Sequence, residues 1–280
     1  MQGDIQQLVQ AIESLQSNTF KDYILPVGSV LLSGALGAGV AYYSVDRQET
    51  TKIEIEKINI VNETFLMIAE MQEFLIGIKS GYMGELTDDP IQRLLAVPLH
   101  ILDDKLFDIE LSRLSFIVPA QNKIKHNCLR LEFIGALFHN YKTVINFWKI
   151  WNDRKTDLYS KLSIESEITI STVELINKAG YEKVKQCSEV LEAVLILTDD
   201  LIIEFTCFLI SFSDLAKKKI NKRVMKKYGF LLSAAKSNNR SLFEFITRMP
   251  EVNYVQMTKL HNKNEDYIRR RYSSSYLDVA

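Results

Sequence analysis

Residues 23–45, YILPVGSVLLSGALGAGVAYYSV, run for 23 residues without a charged side chain, between Lys21-Asp22 and Asp46-Arg47. A helix rises about 1.5 Å per residue, so roughly 20 apolar residues cross a hydrocarbon core of about 30 Å. The stretch is long enough. Tyr23, Tyr42 and Tyr43 stand at its two ends, where amphipathic rings favour the headgroup layer. The pattern predicts a single transmembrane helix over 23–45. A buried helix of a soluble protein and a cleaved signal peptide are the competing readings. The polar 22-residue lead is long for a signal sequence, and only Gly39-Val40-Ala41 faintly resembles a cleavage site.

The stretch is built from small residues. Ser29, Ser33, Gly37 and Ala41 recur every four positions and share one helix face, and Gly34 with Ala38 and Ala35 with Gly39 add shorter seams. Lipid tails gain nothing by pushing helices together, so membrane helices associate through close backbone approach, which small residues permit. A self-associating helix is expected, with Ser29 and Ser33 either facing a narrow pore or belonging to a simple anchor.

The remainder has room for one helical domain. The net charge of −1 gives no global attraction to polyanions, so an electrostatic partner must be served by a local patch. Cys128, Cys187 and Cys207 are odd in number and far apart, which fits neither a disulfide framework nor a zinc site and favours a reducing compartment. Lys21 precedes the apolar stretch, whereas Arg47, Lys52 and Lys57 follow it. That bias puts the N-terminus outside and the large domain in the cytoplasm. Nucleotide-binding, zincin, nucleophile-elbow and C-x-x-C motifs are missing, and His100, His126, His139 and His261 have no ligand spacing. No catalytic residue, metal site or cofactor is assigned, and an enzyme is not expected.

Four segments divide the chain. Residues 1–22 contain a short amphipathic helix with Ile5, Leu8, Val9, Ile12 and Leu15 on one side and Asp4 as its cap. Residues 23–45 are the apolar helix, 46–272 a helical domain and 273–280 a disordered tail. From Asp46 to Lys79 there is no proline, and glycine appears only at Gly77. A broad apolar stripe through Ile53, Ile58, Ile60, Val61, Phe65, Met67, Ile68, Met71, Phe74, Leu75 and Ile78 predicts one helix continuing out of the apolar stretch. Such a helix would be about 85 Å long and would connect the domain mechanically to the span. Asp88-Asp89-Pro90 reads as a helix start. Phe107 to Val118 alternates like a strand without a partner. Ala120 to Asp157 is helical, and its aromatics, Trp148 and Trp151 among them, read as core or subunit interface rather than a ligand site. Ser163, with Glu165 or Ser166, begins a helix that ends at Gly180, and Tyr181 to Tyr228 reads as one long helix or two abutting ones.

Two charged constellations stand out. Glu192, Asp199, Asp200 and Glu204 interrupt an apolar run and make a second span expensive. They read as a solvated stripe or as acids paired with lysines, and a catalytic carboxylate cluster is the weaker reading, as it is for Asp103-Asp104. Residues 217–227, KKKINKRVMKK, hold seven cations in eleven residues: Lys217, Lys218, Lys219, Lys222, Arg223, Lys226 and Lys227. On one helix, Lys218, Lys222 and Lys226 form a ridge opposite Ile220 and Val224. The ridge is expected to face solvent, the anionic inner leaflet, or a phosphate-rich ligand such as a nucleotide or oligonucleotide. Lys123, Lys125 and Arg130 form a second basic cluster and Arg269, Arg270 and Arg271 a third.

The layout resembles the membrane effectors of bacterial anti-phage defence systems, including the Hailong type. The likeness rests on the Ser29/Ser33/Gly37/Ala41 face, the helix running on to Lys79 and the basic segment of residues 217–227. It implies an all-α chain in the bacterial inner membrane that forms homo-oligomers and opens a pore when a nucleic-acid-like ligand or a partner protein engages the cytosolic domain. The competing class is a membrane-tethered helical module that only binds another protein.

Overall fold

The computed structural model describes residues 3, 5–7, 9–10, 25–102, 107–119, 126–162, 172–234 and 249–273. Several expectations fall outside that set: most of the N-terminal amphipathic pattern, Tyr23, Asp103 and Asp104, Lys123 and Lys125, the helix start at Ser163 and the tail 274–280. The described residues are helical or irregular, with no strand among them. They form two compact units, Met1–Ile55 and Glu56–Ala280.

Helix α1, Leu25–Ser80, runs without a break from the described part of the apolar stretch to the expected end near Lys79. Pro26 lies in its first turn, where the missing N–H has no intrahelical acceptor to lose. In the first unit, the side chains of residues 26–45 are almost all exposed, including Val30, Leu31, Leu32, Leu36 and Val40. By length and composition this is the one described helix able to cross a membrane, and none of its apolar window is buried. The second unit starts at Glu56, and residues 46–50 before it are exposed.

Inside the second unit most of the expected stripe of α1 is core: Ile58, Ile60, Val61, Phe65, Ile68, Met71, Leu75 and Ile78 are buried, Met67 and Phe74 are half-buried against them, and Ile53, in the first unit, is exposed. The helix stops at Ser80, whose hydroxyl donates to the Gly77 carbonyl at 2.7 Å. Gly81 then lets His100 approach so closely that a Cβ there would lie 3.2 Å from its imidazole. Helix α2, Pro90–Ala96, begins as expected: the Asp89 carboxylate accepts from the backbone N–H groups of Ile91 and Gln92 at 2.8 and 3.0 Å. The expected strand at 107–118 is instead a 3-10 helix, Leu111–Ile117, that buries Leu114 and Ile117, three positions apart. Three-residue spacing, rather than the partial alternation, decided the fold there.

Helix α3, Leu131–Leu162, packs chiefly against helix α5, Tyr181–Ala216. Trp148 and Trp151 are fully buried, and the Trp148 indole N–H donates to Thr198 across that interface at 3.0 Å. Between them lies the short helix α4, Thr172–Ala179, which ends at Gly180 with φ 87°, a left-handed backbone that favours glycine. Lys155 of α3 is buried and donates to the carbonyls of Leu95 and Val97 at the C-terminus of α2, with its ammonium 4.9 Å from the Tyr159 ring. Burial lowers its pKa to about 8. Two Asn-capped helices, α7 (Tyr254–His261) and α8 (Glu265–Tyr272), close the described chain.

Candidate functional site

Glu192 and Asp199 lie two turns apart on α5 and therefore on one face. That face is not the solvated stripe expected from the sequence. Glu192 is 1 % exposed and Asp199 5 %. Each meets a buried cation from another helix. Lys79, in the last turn of α1, puts its ammonium 2.7 Å from Asp199 Oδ1. Asp199 Oδ2 accepts from the Met249 N–H at 2.8 Å. Arg93 of α2 puts Nη1 2.8 Å from Glu192 Oε2, donates from Nε to the Thr87 carbonyl at 2.6 Å and from Nη2 to the Pro250 carbonyl. The expected pairing with lysines thus holds for Asp199, while Glu192 takes an arginine. Arg93 fits its place because a planar fork can serve three acceptors at once.

Burial pushes the Glu192 carboxyl up to about 7, and Arg93 beside it pulls it back only in part. Asp199 is also raised by burial, with Lys79 opposing. Both acids line a cavity of about 150 Å³ together with Leu195, Ile196, Val252 and Tyr272. Glu192 Oε1 has no hydrogen-bond partner among the described residues. His261 is buried with Nδ1 3.3 Å from Glu189 Oε1, and burial lowers its pKa. Among the described residues no three ligating side chains converge as a metal would need.

The raised Glu192 carboxyl has a stability consequence with a definite sign. The folded state holds that proton more tightly than the unfolded chain, whose value is near 4.5. Its stabilisation is complete below that value and is lost as pH rises through about 7. His100, lowered to about 4, acts the other way and loses its contribution as pH falls below 6.5. Glu192→Gln removes only the first effect. The melting temperature of the native chain minus that of Glu192→Gln should therefore fall between pH 5 and pH 8, followed by tryptophan fluorescence. A difference that does not change with pH would contradict the assignment.

The basic segment is not one helix. Lys217–Lys219 form a 3-10 turn, Ile220 is 5 % exposed and plugs into the core, and Asn221 caps a new helix, α6 (Lys222–Tyr228), by accepting from the Arg223 N–H at 2.9 Å. Burial of Ile220 breaks the register, so the predicted ridge of Lys218, Lys222 and Lys226 does not run along a single helix. The structure instead brings Lys217, Lys222 and Lys226 to one groove of about 350 Å³, with Asp214 on its rim and the 73 % exposed Phe230 beside them. Lys218, Arg223 and Lys227 are exposed outside that groove, and Lys219 is half-buried. The chain after the groove is tied to α1: Asn62 donates to the Phe230 carbonyl and accepts from the Leu232 N–H, both at 2.9 Å. The third basic cluster is largely engaged in its own contacts, with Arg269 on Glu265 at 2.8 Å and Arg271 on the Tyr267 hydroxyl at 2.9 Å.

On the small-residue face, Ser29 donates to the Pro26 carbonyl at 2.8 Å and Ser33 to the Ser29 carbonyl at 2.7 Å. Their hydroxyls are thus satisfied within the helix. A Cβ at Gly37 would meet nothing within 4 Å, so one chain alone has no steric need for glycine there. Gly34 and Gly39 are equally open, and Ala41 is exposed.

No protein-family model matches this chain, and neither a curated protein nor a solved structure does.

Proposed function

We propose that this chain is a homo-oligomeric membrane effector of the bacterial inner membrane, in which residues 23–45 span the bilayer and copies pack through Ser29, Ser33, Gly37 and Ala41 around a gated pore. The observation that carries this reading is the contrast along α1. Its residues 58–78 bury their apolar stripe in the second unit, whereas Val30, Leu31, Leu32, Leu36 and Val40 stay uncovered. Apolar surface costs about 25 cal/mol per Å² in water, so such a run needs lipid or neighbouring chains. The intrahelical bonds of Ser29 and Ser33 suit lipid too, because they leave neither hydroxyl proton unpaired in hydrocarbon.

The helical unit acts as the sensor. The Lys217/Lys222/Lys226 groove offers cations to a phosphate-bearing ligand, a nucleotide or an oligonucleotide, and Asn62 ties the adjoining backbone at Phe230 and Leu232 to α1. A partner protein is the other occupant in keeping with this function, and defence against phage is the biological setting. Replacing Lys217, Lys222 and Lys226 together by Glu should abolish oligonucleotide binding in a fluorescence-anisotropy titration. Binding by the native chain should fall steeply with salt, by a log–log slope of about −0.7 for each phosphate neutralised on a single strand. Lys218→Glu, outside the groove, should do much less. Salt-independent binding, or none, would return these lysines to the role of a solvated surface.

A second reading, a tethered module without a pore, is favoured by one detail: the hydroxyl protons of Ser29 and Ser33 are bound back to the helix, so in a lumen they would have no donor for an anion. Purified chain in liposomes separates the two. The effector should release a trapped ion once its ligand is present, whereas a tether would leave the liposomes sealed. A reporter fused after Ala280 should be active in the cytoplasm, given Arg47, Lys52 and Lys57 against Lys21. Activity only on the outer side would reverse the orientation.

A further inference from the structure

We propose that the cavity beside Glu192 is a binding site for a short aliphatic amine, whose ammonium group meets the second carboxylate oxygen of Glu192. The inference does not depend on the pore. Glu192 Oε2 is held by Arg93, while Oε1 is buried without a partner among the described residues. A buried carboxylate oxygen left without a donor is costly. Arg93 is poorly placed to supply one, because its other nitrogens already serve the carbonyls of Thr87 and Pro250.

Charge selects a cation. Glu192, Asp199 and Glu251 line the cavity against Arg93, with Lys79 behind Asp199, so three acids face two bases. An anion would be repelled, and a neutral donor would leave the surplus negative charge unmatched. A bare divalent ion lacks its ligands, since no three such side chains converge among the described residues. An ammonium group needs only acceptors around it. The remaining wall is apolar, from Leu195, Ile196 and Val252, and suits an alkyl chain. The volume of about 150 Å³ sets the size: a cavity of this kind holds a benzene-sized ligand, about six non-hydrogen atoms. Butylamine and 1,4-diaminobutane fall within that limit, and Glu251 would face the second ammonium of the diamine.

Isothermal titration of the full chain in detergent at pH 8, where the Glu192 carboxyl is ionised, with n-butylammonium chloride, 1,4-diaminobutane and 1-butanol tests the site. One amine should bind per chain, about tenfold or more tighter than the isosteric alcohol, because only the amine forms a charge-assisted bond. Glu192→Gln keeps an acceptor for Arg93 and removes the charge. Ile196→Phe fills the cavity and leaves every charge in place. Each should weaken the amine about tenfold or more, and together they separate a lost site from a damaged fold. Unsaturable binding, equal affinity for butanol, or unchanged affinity in either variant would overturn the proposal.

Discussion

Replacing Arg93 by Met should destabilise the helical unit by about 3–5 kcal/mol, the cost of leaving a buried charge without its partner. Met matches the aliphatic part of the side chain, so little packing is lost. What disappears is the pair with Glu192 at 2.8 Å and the bonds to Thr87 and Pro250. These join α2 to α5 and to the segment before α7. Protonation of Glu192, already raised to about 7, relieves part of the loss, which places the effect toward the lower end at acidic pH. Tryptophan fluorescence reports it directly, since both tryptophans of the chain, Trp148 and Trp151, are fully buried. The midpoint should drop by roughly 10 °C. Lys183→Met is the matched control: its pair with Asp157 at 2.7 Å is exposed and is worth about 1 kcal/mol or less. An Arg93→Met chain as stable as the control would show that the buried pair does not hold these elements together.

Replacing Gly37 by Leu should break the assembly while sparing the monomer. A Cβ at this position meets nothing in its own chain, and Leu is a strong helix former, so α1 and its insertion should survive. Between chains the same change puts a bulky side chain where a neighbouring backbone should pass. No hydrophobic gain compensates, because Leu against Leu is no better in lipid than Leu against a lipid tail. Oligomer and ion flux should fall together, by about tenfold or more in each. The tryptophan melting curve should not move, since Trp148 and Trp151 lie in the other compact unit. Gly34→Leu, off the Ser29/Ser33/Gly37/Ala41 face, should do less. If Gly37→Leu keeps both assembly and flux, residues 23–45 are an anchor.

The sequence revealed most where a single period governed a long element. The stripe from Ile58 to Ile78 and the unbroken run before it foretold α1 through to Ser80, and Asp89-Pro90 foretold the start of α2 because cap chemistry is local. It failed where tertiary contacts decided. The acids of α5 looked solvated because their partners lie far away in the chain, at Lys79 and Arg93. The signal was there in a weak form, since Lys79 follows the last residue of an apolar stripe and Arg93 interrupts one. The lysine ridge failed for a similar reason. Ile220, drawn into the core, turns the chain before Lys222 and replaces Lys218 by Lys217 as the companion of Lys222 and Lys226. The strand-like residues 107–118 show that partial alternation without a partner strand carries little weight.

Copies of α1 assembling in a membrane are central to the proposed effector, and the mass of the intact chain in mild detergent tests that most directly. Light scattering corrected for bound detergent should give a protein mass several times that of one 32.2 kDa chain, and Gly37→Leu should bring it back to a single chain. A native chain that is monomeric at every concentration and in every detergent that keeps it folded would contradict the proposed effector.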